Sequence, residues 1–390
     1  MRVLMTALVP SHLMPMVPLT WALRAAGHEV LVAGDTDVVR SARAAGLDGR
    51  LIGGSGTTRQ QQTRPGAVTM VGRGALEQRA ESEWAAVGAR WRHRLGGYLD
   101  DFVALGRAWQ PDLVVTDPVE FGGLIVAGAL GVPGVVHRYG PDDITGPLLR
   151  QAVVQLRDLA REYGSADGFP APALLVDPSP PSLLPEGEDD PSLLTRYIPY
   201  SGTAELPAWA IEPPERPRVL VCLGMWHGRH IAETGTLPPG FRHVLDACAQ
   251  LGAEAVLPID AEYHPLLGEL PATVRVVDRF PIGPLLRHTA VTVHHGGSGT
   301  TMTSFVAGVP QLVLPGDKPF LQTTARLVER SGGGIGLADE EQQHDPRLVR
   351  QALADLLGEE HHRKAARAVG AEIAGLPGPT ELVRTLEGLI

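Results

Sequence analysis

Cysteine is scarce in this sequence: its 390 residues contain two, Cys222 and Cys248. Two thiols are too few for a disulfide framework or for a zinc site with four cysteine ligands. We therefore expect a reduced, cytoplasmic protein without a cysteine-based metal site.

The chain also lacks an excess of positive charge, since 34 lysines and arginines stand against 44 aspartates and glutamates. The resulting net charge of −10 differs from the basic surface that nucleic-acid-binding proteins usually carry. We therefore expect no nucleic-acid partner.

Long apolar runs are missing as well. No segment has the roughly 18 uncharged apolar residues that a membrane-spanning helix needs. The apolar run at the N-terminus carries Arg2 and stops at Pro10, so it is shorter than the core of a signal peptide. We expect neither a signal peptide nor a membrane span.

With 390 residues the chain exceeds the roughly 250–300 residues at which a single hydrophobic core stops growing, so two domains are expected. A proline-rich segment at 211–217 is typical of a linker, because proline stiffens the backbone and removes hydrogen-bond donors. We place one domain at 1–210, a second at 218–375 and a C-terminal helix at 376–390.

Both halves of the sequence alternate short apolar strands with helical segments, an order that predicts parallel sheets covered by helices on both faces. We therefore predict an α/β fold of two doubly wound, Rossmann-like domains, whose ligands bind at the carboxyl ends of the strands. The predicted strands lie at 3–8, 28–33, 112–116, 132–137, 218–223, 254–259, 273–277, 290–294 and 310–314.

The most informative motif is Val-His-His-Gly-Gly-Ser-Gly-Thr-Thr at 293–301, which follows a predicted strand and opens a predicted helix. Glycines let the backbone approach a ligand, and a helix N-terminus offers unpaired N–H donors and a partial positive charge. His295 and the neighbouring hydroxyls add donors. The motif predicts a pyrophosphate site, and it is not a Walker loop because no Gly-Lys-Ser/Thr follows.

This segment, together with 277–281 and 307–315, resembles the nucleotide-sugar signature of inverting family 1 glycosyltransferases of the GT-B fold. The segments 16–30 and 136–140 resemble the same family, so the similarity covers nearly the whole chain. More closely, the sequence is similar to actinobacterial enzymes that attach deoxysugars to aromatic polyketide antibiotics, including angucycline C-glycosyltransferases. The resemblance implies two domains that face each other across a cleft, with a C-terminal helix crossing back onto the first.

The resemblance implies a dTDP-sugar donor, with UDP as the alternative, and no cofactor beyond this co-substrate. It assigns His295 to the β-phosphate and the backbone around Phe280 and Ile282 to the base. The residues that it places around the phosphates are Gly297, Ser298, Gly299 and Thr300. It also implies a hydrophobic small-molecule acceptor, attached through oxygen or carbon. Whether the chain forms a homodimer stays open.

Two residues suit base catalysis in the first half. His12 follows the first predicted strand, and histidine can accept a proton from an acceptor hydroxyl near neutral pH. Asp117 ends another predicted strand, where a carboxylate could orient the imidazole and stabilise its cation. The resemblance points to the same pair, although capping or packing roles are also open for both side chains.

Three further residues complete the predicted acceptor side. Asp142 follows a strand and resembles an aspartate implicated in acid/base work in relatives that act on aromatic polyketides, although a simple turn residue is equally consistent with its Pro and Gly neighbours. Tyr139 and Trp84 are predicted to contact the acceptor. The loop at 53–74 is predicted to lie over it.

The proposed reaction is a direct displacement with inversion at the anomeric carbon, in which the helix N-terminus and His295 stabilise the leaving diphosphate. No metal ion is needed for this role. Asp35 and Asp37 have the Asp-x-Asp spacing of metal-dependent glycosyltransferases, but their place after a strand is more typical of a helix cap, so no metal site is predicted.

Two positions depart from the family pattern. An Asp-Gln pair that contacts sugar hydroxyls is replaced by Asp317 and Lys318, or by Pro319 and Phe320 if no gap is allowed. Because lysine has no acceptor, a donor sugar with few hydroxyls is favoured. Met225 replaces a Ser or Thr that touches the diphosphate.

Three other functions remain open at this point. A sugar-nucleotide epimerase of the GT-B fold would share the phosphate site, and a non-catalytic glycosyltransferase helper protein would tolerate the altered Asp-Gln pair. An NAD-linked dehydrogenase needs Gly-x-Gly-x-x-Gly after the first strand, where this sequence has Val9, Pro10, Ser11 and His12 instead.

Overall fold

The fold is described from a computed structural model, which covers residues 1–53, 73–186, 191–224, 230–231 and 234–390. The chain divides into two compact units. The first contains Met1–Ser179, Glu186–Tyr200 and Leu376–Ile390, and the second contains Pro180–Pro185 and Ser201–Gly375.

The first unit is built on a seven-stranded sheet with the order β3-β2-β1-β4-β5-β6-β7, in which every pairing is parallel. Its central strands are apolar on both faces because helices cover both sides. All four residues of β4, for example, are buried. The strands are β1 Arg2–Thr6, β2 Glu29–Gly34, β3 Gly49–Leu51, β4 Leu113–Thr116, β5 Gly134–His137, β6 Leu174–Asp177 and β7 Leu193–Leu194.

The helices of the first unit connect these strands in the right order for a doubly wound fold. One of them ends at Gly131, whose φ of +69° satisfies the left-handed position of a helix C-terminus. The helices are α1 Pro10–Leu13, α2 Val17–Ala25, α3 Thr36–Ala44, α4 Arg73–Glu77, α5 Glu81–Gly96, α6 Leu99–Trp109, α7 Phe121–Leu130, α8 Thr145–Gln155 and α9 Arg157–Glu162. A short 3-10 helix spans Met14–Met16.

The second unit has a six-stranded parallel sheet with the order β10-β9-β8-β11-β12-β13. This is the order 3-2-1-4-5-6 of a dinucleotide-binding Rossmann fold, counted within the unit. The strands are β8 Arg218–Cys222, β9 Glu254–Pro258, β10 Val274–Val277, β11 Val291–His294, β12 Gln311–Val313 and β13 Gly334–Gly336.

The helices described in the second unit pack on both faces of this sheet. Trp209 and Ala210 belong to its core together with Phe280, which explains why the unit begins before the proline-rich segment at 211–217. The helices are α10 Ala208–Ile211, α11 Pro239–Gln250, α12 Gly283–Leu286, α13 Ser298–Val306, α14 Pro319–Arg330, α15 Glu340–His344, α16 Pro346–Gly358 and α17 Glu360–Gly375.

The last helix, α18 Pro379–Glu387, lies in the first unit. Leu382, Val383 and Leu386 are buried in the same core as Val3 of β1. Each such side chain stabilises the fold by roughly 1.5–3 kcal/mol relative to an exposed position. The two Rossmann-like sheets and the returning C-terminal helix agree with the predicted fold class.

Candidate active site

The two residues predicted for base catalysis lie at the point of the first sheet where the strand order reverses. From β1 the sheet continues through β2 on one side and β4 on the other, so the loops after β1 and β4 diverge and leave room at the carboxyl edge. His12 lies on α1, just after β1, and Asp117 directly follows β4. The fold therefore brings two distant parts of the sequence together.

Nδ1 of His12 lies 3.1 Å from Oδ2 of Asp117. The same carboxylate accepts hydrogen bonds from the backbone N–H groups of Leu8 (2.6 Å), Val119 (2.7 Å) and Glu120 (3.0 Å). These four partners hold both carboxylate oxygens of a completely buried side chain. The imidazole is 22% exposed, so one edge of it reaches the surface of the unit.

The pKa of Asp117 shows that its carboxylate is ionised in this pair. Burial would raise the pKa of Asp117, but the attraction and hydrogen bond of His12 and the backbone donors of Leu8 and Val119 outweigh it, and the pKa falls below its ordinary value of 3.8. An ionised carboxylate only accepts, so Nδ1 of His12 carries the hydrogen. In the neutral tautomer with its hydrogen on Nδ1, the lone pair of the ring is on Nε2.

A third side chain, that of Tyr139, contacts His12. Its ring stacks on the imidazole of His12, with centroids 4.5 Å apart and an interplanar angle of 27°. Burial raises the pKa of Tyr139 well above 10, the carboxylates of Asp142, Asp117 and Asp143 raise it further, and Arg138 opposes them. The phenol is therefore neutral at physiological pH.

Asp142 has a clear local role in the structure. Its Oδ1 accepts from the backbone N–H groups of Ile144 (3.1 Å) and Thr145 (2.8 Å), and its Oδ2 accepts from the Thr145 hydroxyl (2.9 Å). These bonds hold the turn that leads into α8. Asp142 therefore holds a turn, as one of its two interpretations from the sequence expected. It also lies near Tyr139.

Trp84, predicted to contact the acceptor, lies on α5 and is 5% exposed. It packs against Trp91 with ring centroids 6.2 Å apart, as part of the core of the first unit. Its remaining surface lines a pocket of about 410 Å³. Other residues that line this pocket are Leu76, Arg79, Pro147, Arg150 and Gln151, and none of them is in the His12–Asp117–Tyr139 cluster.

In the second unit the predicted phosphate site also lies where the strand order reverses, between β8 and β11. The imidazole of His295 lies between two glycines: a Cβ atom on Gly224 would fall 2.2 Å from its Cε1, and one on Gly297 would fall 2.7 Å from its Nε2. Gly224, with a φ of +72°, is a site residue that the sequence analysis did not identify. It has no room for any side chain.

The turn after His295 leads directly into α13. Gly296 has a φ of +94°, a conformation that favours glycine, and Gly297 is the residue before the first helical turn. That first turn, which contains Ser298, Gly299 and Thr300, carries no acidic side chain. The arrangement suits an anion at the helix N-terminus.

His294 supports this turn from inside the unit. It is completely buried, its Nε2 lies 2.8 Å from Oε1 of Gln311, and its Nδ1 accepts from the Gly296 N–H at 3.0 Å. Burial lowers its pKa to about 4, although the bond to Gln311 opposes this shift, so the ring is neutral. The two adjacent histidines are visible in the sequence, but neither this supporting role of His294 nor its partner Gln311 was predicted from it.

The remaining donor-site predictions lie at neighbouring strand ends. Phe280 and Ile282 follow β10 and are partly buried, and Phe280 packs edge-on against Trp209 with ring centroids 6.0 Å apart. Asp317 follows β12 and pairs with the adjacent Lys318, just before α14. Met225 lies outside the described residues, as do residues 54–72 of the predicted loop.

Asp35 is the N-cap of α3, the role expected from the sequence, and Asp37 lies in the first turn of that helix. Oδ1 of Asp35 accepts from the N–H groups of Asp37 (3.0 Å) and Val38 (2.9 Å) at the start of α3. Arg40 pairs with Asp37 at 2.7 Å. Elsewhere, among the residues that the structure describes, one group could hold a metal ion, Glu359, His361 and His362 at the junction of α16 and α17.

Comparison with known proteins decides the family. The erythromycin biosynthesis protein CIII-like family matches the chain with its N-terminal domain over residues 21–224 and its C-terminal domain over residues 242–389. The chain belongs to this family. It is a glycosyltransferase, as are its relatives, and this favours that function over the epimerase, helper-protein and dehydrogenase alternatives.

Two relatives of this CIII-like glycosyltransferase illustrate the similarity. The L-demethylnoviosyl transferase of Streptomyces niveus is 35% identical, over 99% of this chain and 97% of the relative. The aclacinomycin-T 2-deoxy-L-fucose transferase of Streptomyces galilaeus is 32% identical, over 100% of this chain and 96% of the relative.

The structure of the spinosyn rhamnosyltransferase SpnG superposes on this glycosyltransferase with a TM-score of 0.83 and 33% identity, over 99% of this chain and 100% of SpnG. SpnG has been solved with thymidine diphosphate and with spinosyn aglycone. Among the residues of this chain that the structure describes, no helix is both long enough and apolar enough to cross a bilayer.

Proposed function

We propose that this glycosyltransferase moves a deoxysugar from a dTDP donor to a hydrophobic, polyketide-type acceptor, with inversion at the anomeric carbon and without a metal ion. The observation that carries the proposal is the His12–Asp117 pair, in which a fully buried carboxylate holds Nδ1 and leaves Nε2 to act as a base. This is the arrangement required to deprotonate an acceptor and stabilise the resulting imidazolium.

The donor half of the proposal rests on the glycine turn of the second unit. The imidazole of His295 lies between Gly224 and Gly297, and the first turn of α13, which contains no acidic residue of its own, places backbone N–H and hydroxyl groups at the helix N-terminus. Together they would stabilise the negative charge that develops on the leaving diphosphate. Two solved relatives support thymidine as the base, since SpnG was solved with thymidine diphosphate and VinC with dTDP.

We expect inversion because the transfer takes place in a single displacement. Nε2 of His12 removes the proton of the acceptor, and the acceptor atom forms a bond to the anomeric carbon as the bond from that carbon to the diphosphate oxygen breaks. The proton stays on His12 and the electron pair leaves with dTDP. A single displacement of this kind inverts the configuration, and the charge on the diphosphate is balanced by His295 and the dipole of α13.

A deoxysugar donor is supported by the side chains before α14. The Asp317 carboxylate is engaged by Lys318, and lysine has no acceptor atom for a sugar hydroxyl. A sugar with few hydroxyl groups leaves fewer unpaired donors at such a site. The names of the relatives agree with this, since they include a 2-deoxy-L-fucose transferase and a daunosamine transferase.

The test combines nucleotide binding with product analysis. Calorimetric titration with dTDP and UDP should show tighter binding of dTDP, weakened at least tenfold in His295→Ala. Transfer from a dTDP-deoxysugar to aromatic polyketide aglycones should give one product of inverted anomeric configuration by NMR, at a rate that EDTA does not change.

Two variants of the base pair complete this test. His12→Gln and Asp117→Asn should bind dTDP normally yet lose on the order of 10²- to 10⁴-fold in kcat, because one lacks the base and the other its charged partner. Arg40→Gln, on the surface of the same unit, serves as the control. Retention of configuration, loss of activity with EDTA or full activity of His12→Gln would each contradict the proposal.

A further inference from the structure

Tyr139 is a predicted site residue of the first unit to which the proposed reaction gives no role. The sequence assigns it to the acceptor, but in the structure its ring lies on the imidazole of His12, with centroids 4.5 Å apart and planes 27° apart. Such an offset, nearly parallel arrangement is an attractive contact between aromatic rings. The residue therefore touches the base itself.

The contact supplies a restraint that the hydrogen bond to Asp117 cannot. The hydrogen bond from Nδ1 to Oδ2 restrains the imidazole at one atom. Small rotations about Cα–Cβ and Cβ–Cγ can still tilt the ring plane while that bond is kept. A ring stacked on the face of the imidazole opposes this tilt. Together the two contacts determine both the direction in which Nε2 points and the plane in which its lone pair lies.

Tyr139 is itself held firmly. It directly follows the buried Arg138, which lies after β5 and forms an ion pair with Asp177 at 3.0 Å. On its other side the chain enters the turn that Asp142 holds through Ile144 and Thr145. The stacking surface is thus attached to the sheet on one side and to the start of α8 on the other.

We propose that Tyr139 is a positioning residue that sets the ring plane of His12 through stacking, and so aims the base at the acceptor. This rests on the proposed function, in which His12 is the base. The ring of Tyr139 carries the effect and its hydroxyl does not. Misplacing a catalytic group by about 1 Å can cost on the order of 100-fold in rate, so loss of the ring should appear in kcat.

The experiment compares Tyr139→Phe, which keeps the ring, with Tyr139→Leu, which removes it. In the substrate-free protein, the His12 ring protons, assigned by their absence in His12→Gln, should resonate upfield in the wild type and in Tyr139→Phe. They should move downfield in Tyr139→Leu, because the ring current is lost. In turnover, Tyr139→Leu should lose on the order of 10- to 100-fold in kcat, and Tyr139→Phe should stay within about threefold of the wild type.

A matched control is Tyr163→Leu, since Tyr163 lies on the same unit and donates to Asp100 instead. It should change neither the His12 resonances nor kcat. Calorimetry with dTDP and a thermal melt establish that each variant is folded. If Tyr139→Leu raises the acceptor KM while kcat and the His12 resonances stay unchanged, the residue is an acceptor contact and the positioning role is overturned. Full transfer by His12→Gln would instead overturn the proposed function, a separate result.

Discussion

Nε2 of His294 lies 2.8 Å from Oε1 of Gln311, so a buried hydrogen bond joins the end of β11 to the start of β12 beneath the glycine turn. The other ring nitrogen accepts from Gly296. A neutral imidazole can donate from one nitrogen and accept at the other, and here both functions are used. The turn that carries His295 is therefore supported by a side chain that is itself completely buried.

Replacing Gln311 with leucine should damage both stability and donor binding. The Nε2–H of His294 would lose its acceptor inside the core, which costs about 1–3 kcal/mol in the free energy of unfolding. The turn should also lose order, so dTDP binding should weaken. Urea denaturation and calorimetry measure the two effects. Gln351→Leu, on the surface of α16, is the matched control. A Gln311→Leu protein as stable as the wild type and equal in dTDP affinity would show that the bond does not support the turn.

Stability should fall in mildly acidic solution because two buried histidines resist protonation. Burial lowers the pKa of His137 and of His294 from 6.5 to about 4. Between these values the unfolded chain binds more protons than the folded one, so the stability is fully present above pH 6.5 and is lost as the pH falls towards 4. Each histidine contributes at most on the order of 3 kcal/mol to this loss.

Urea midpoints at pH 7.5, 6 and 5 measure this effect. His294→Gln should flatten the dependence between pH 6.5 and 5, whereas His361→Gln, at an exposed position, should leave it unchanged. Equal unfolding free energies of the wild type at pH 7.5 and pH 5 would be incompatible with two neutral buried imidazoles.

Substitutions at Asp142 test whether this residue only holds the turn before α8 or also takes part in proton transfer. Asparagine, like aspartate, accepts turn hydrogen bonds through its side-chain oxygen, so Asp142→Asn should keep the bonds from the Ile144 and Thr145 N–H groups and retain kcat within a few-fold. Asp142→Ala should lower the free energy of unfolding by about 1 kcal/mol. Denaturation and initial rates provide both readouts. A loss of more than 100-fold in kcat for Asp142→Asn, with normal stability, would show instead that Asp142 takes part in proton transfer.

Lys318→Gln should broaden the range of donor sugars. The substitution restores the Asp-Gln pair that the family resemblance leads one to expect, and it releases the Asp317 carboxylate from its ion pair. A gained hydrogen bond to a sugar hydroxyl is worth about 0.5–1.5 kcal/mol, so the rate with dTDP-glucose relative to a dTDP-dideoxysugar should rise about three- to tenfold. Lys364→Gln on α17 is the control. If the ratio of the two rates stays unchanged, Asp317 and Lys318 do not determine which donor sugar is accepted.

Much of the fold was predictable because its strands are apolar runs with sharp boundaries. The strands predicted at 3–8 and 112–116 correspond to β1 Arg2–Thr6 and β4 Leu113–Thr116 in the structure. Four short strands, β3, β6, β7 and β13, were not predicted, since segments of so few residues show little periodicity.

The candidate site likewise contains some contacts that the sequence predicts and others that it does not. His12 and Asp117 follow strands in a doubly wound pattern, so their meeting could be predicted from topology before any coordinates. The bond from His294 to Gln311 could not, because it depends on the register of β11 against β12. The stacking of Tyr139 on His12 also depends on side-chain rotamers, which a single sequence does not specify.

The position of α18 has a consequence for how the protein is made. Leu382, Val383 and Leu386 complete a core whose other residues come from the first part of the chain, such as Val3 and Leu23. During synthesis the ribosome would therefore release the second unit before the first can bury its apolar surface in full. The first unit should therefore reach its final stability only after α18 has left the ribosome and packed into its core.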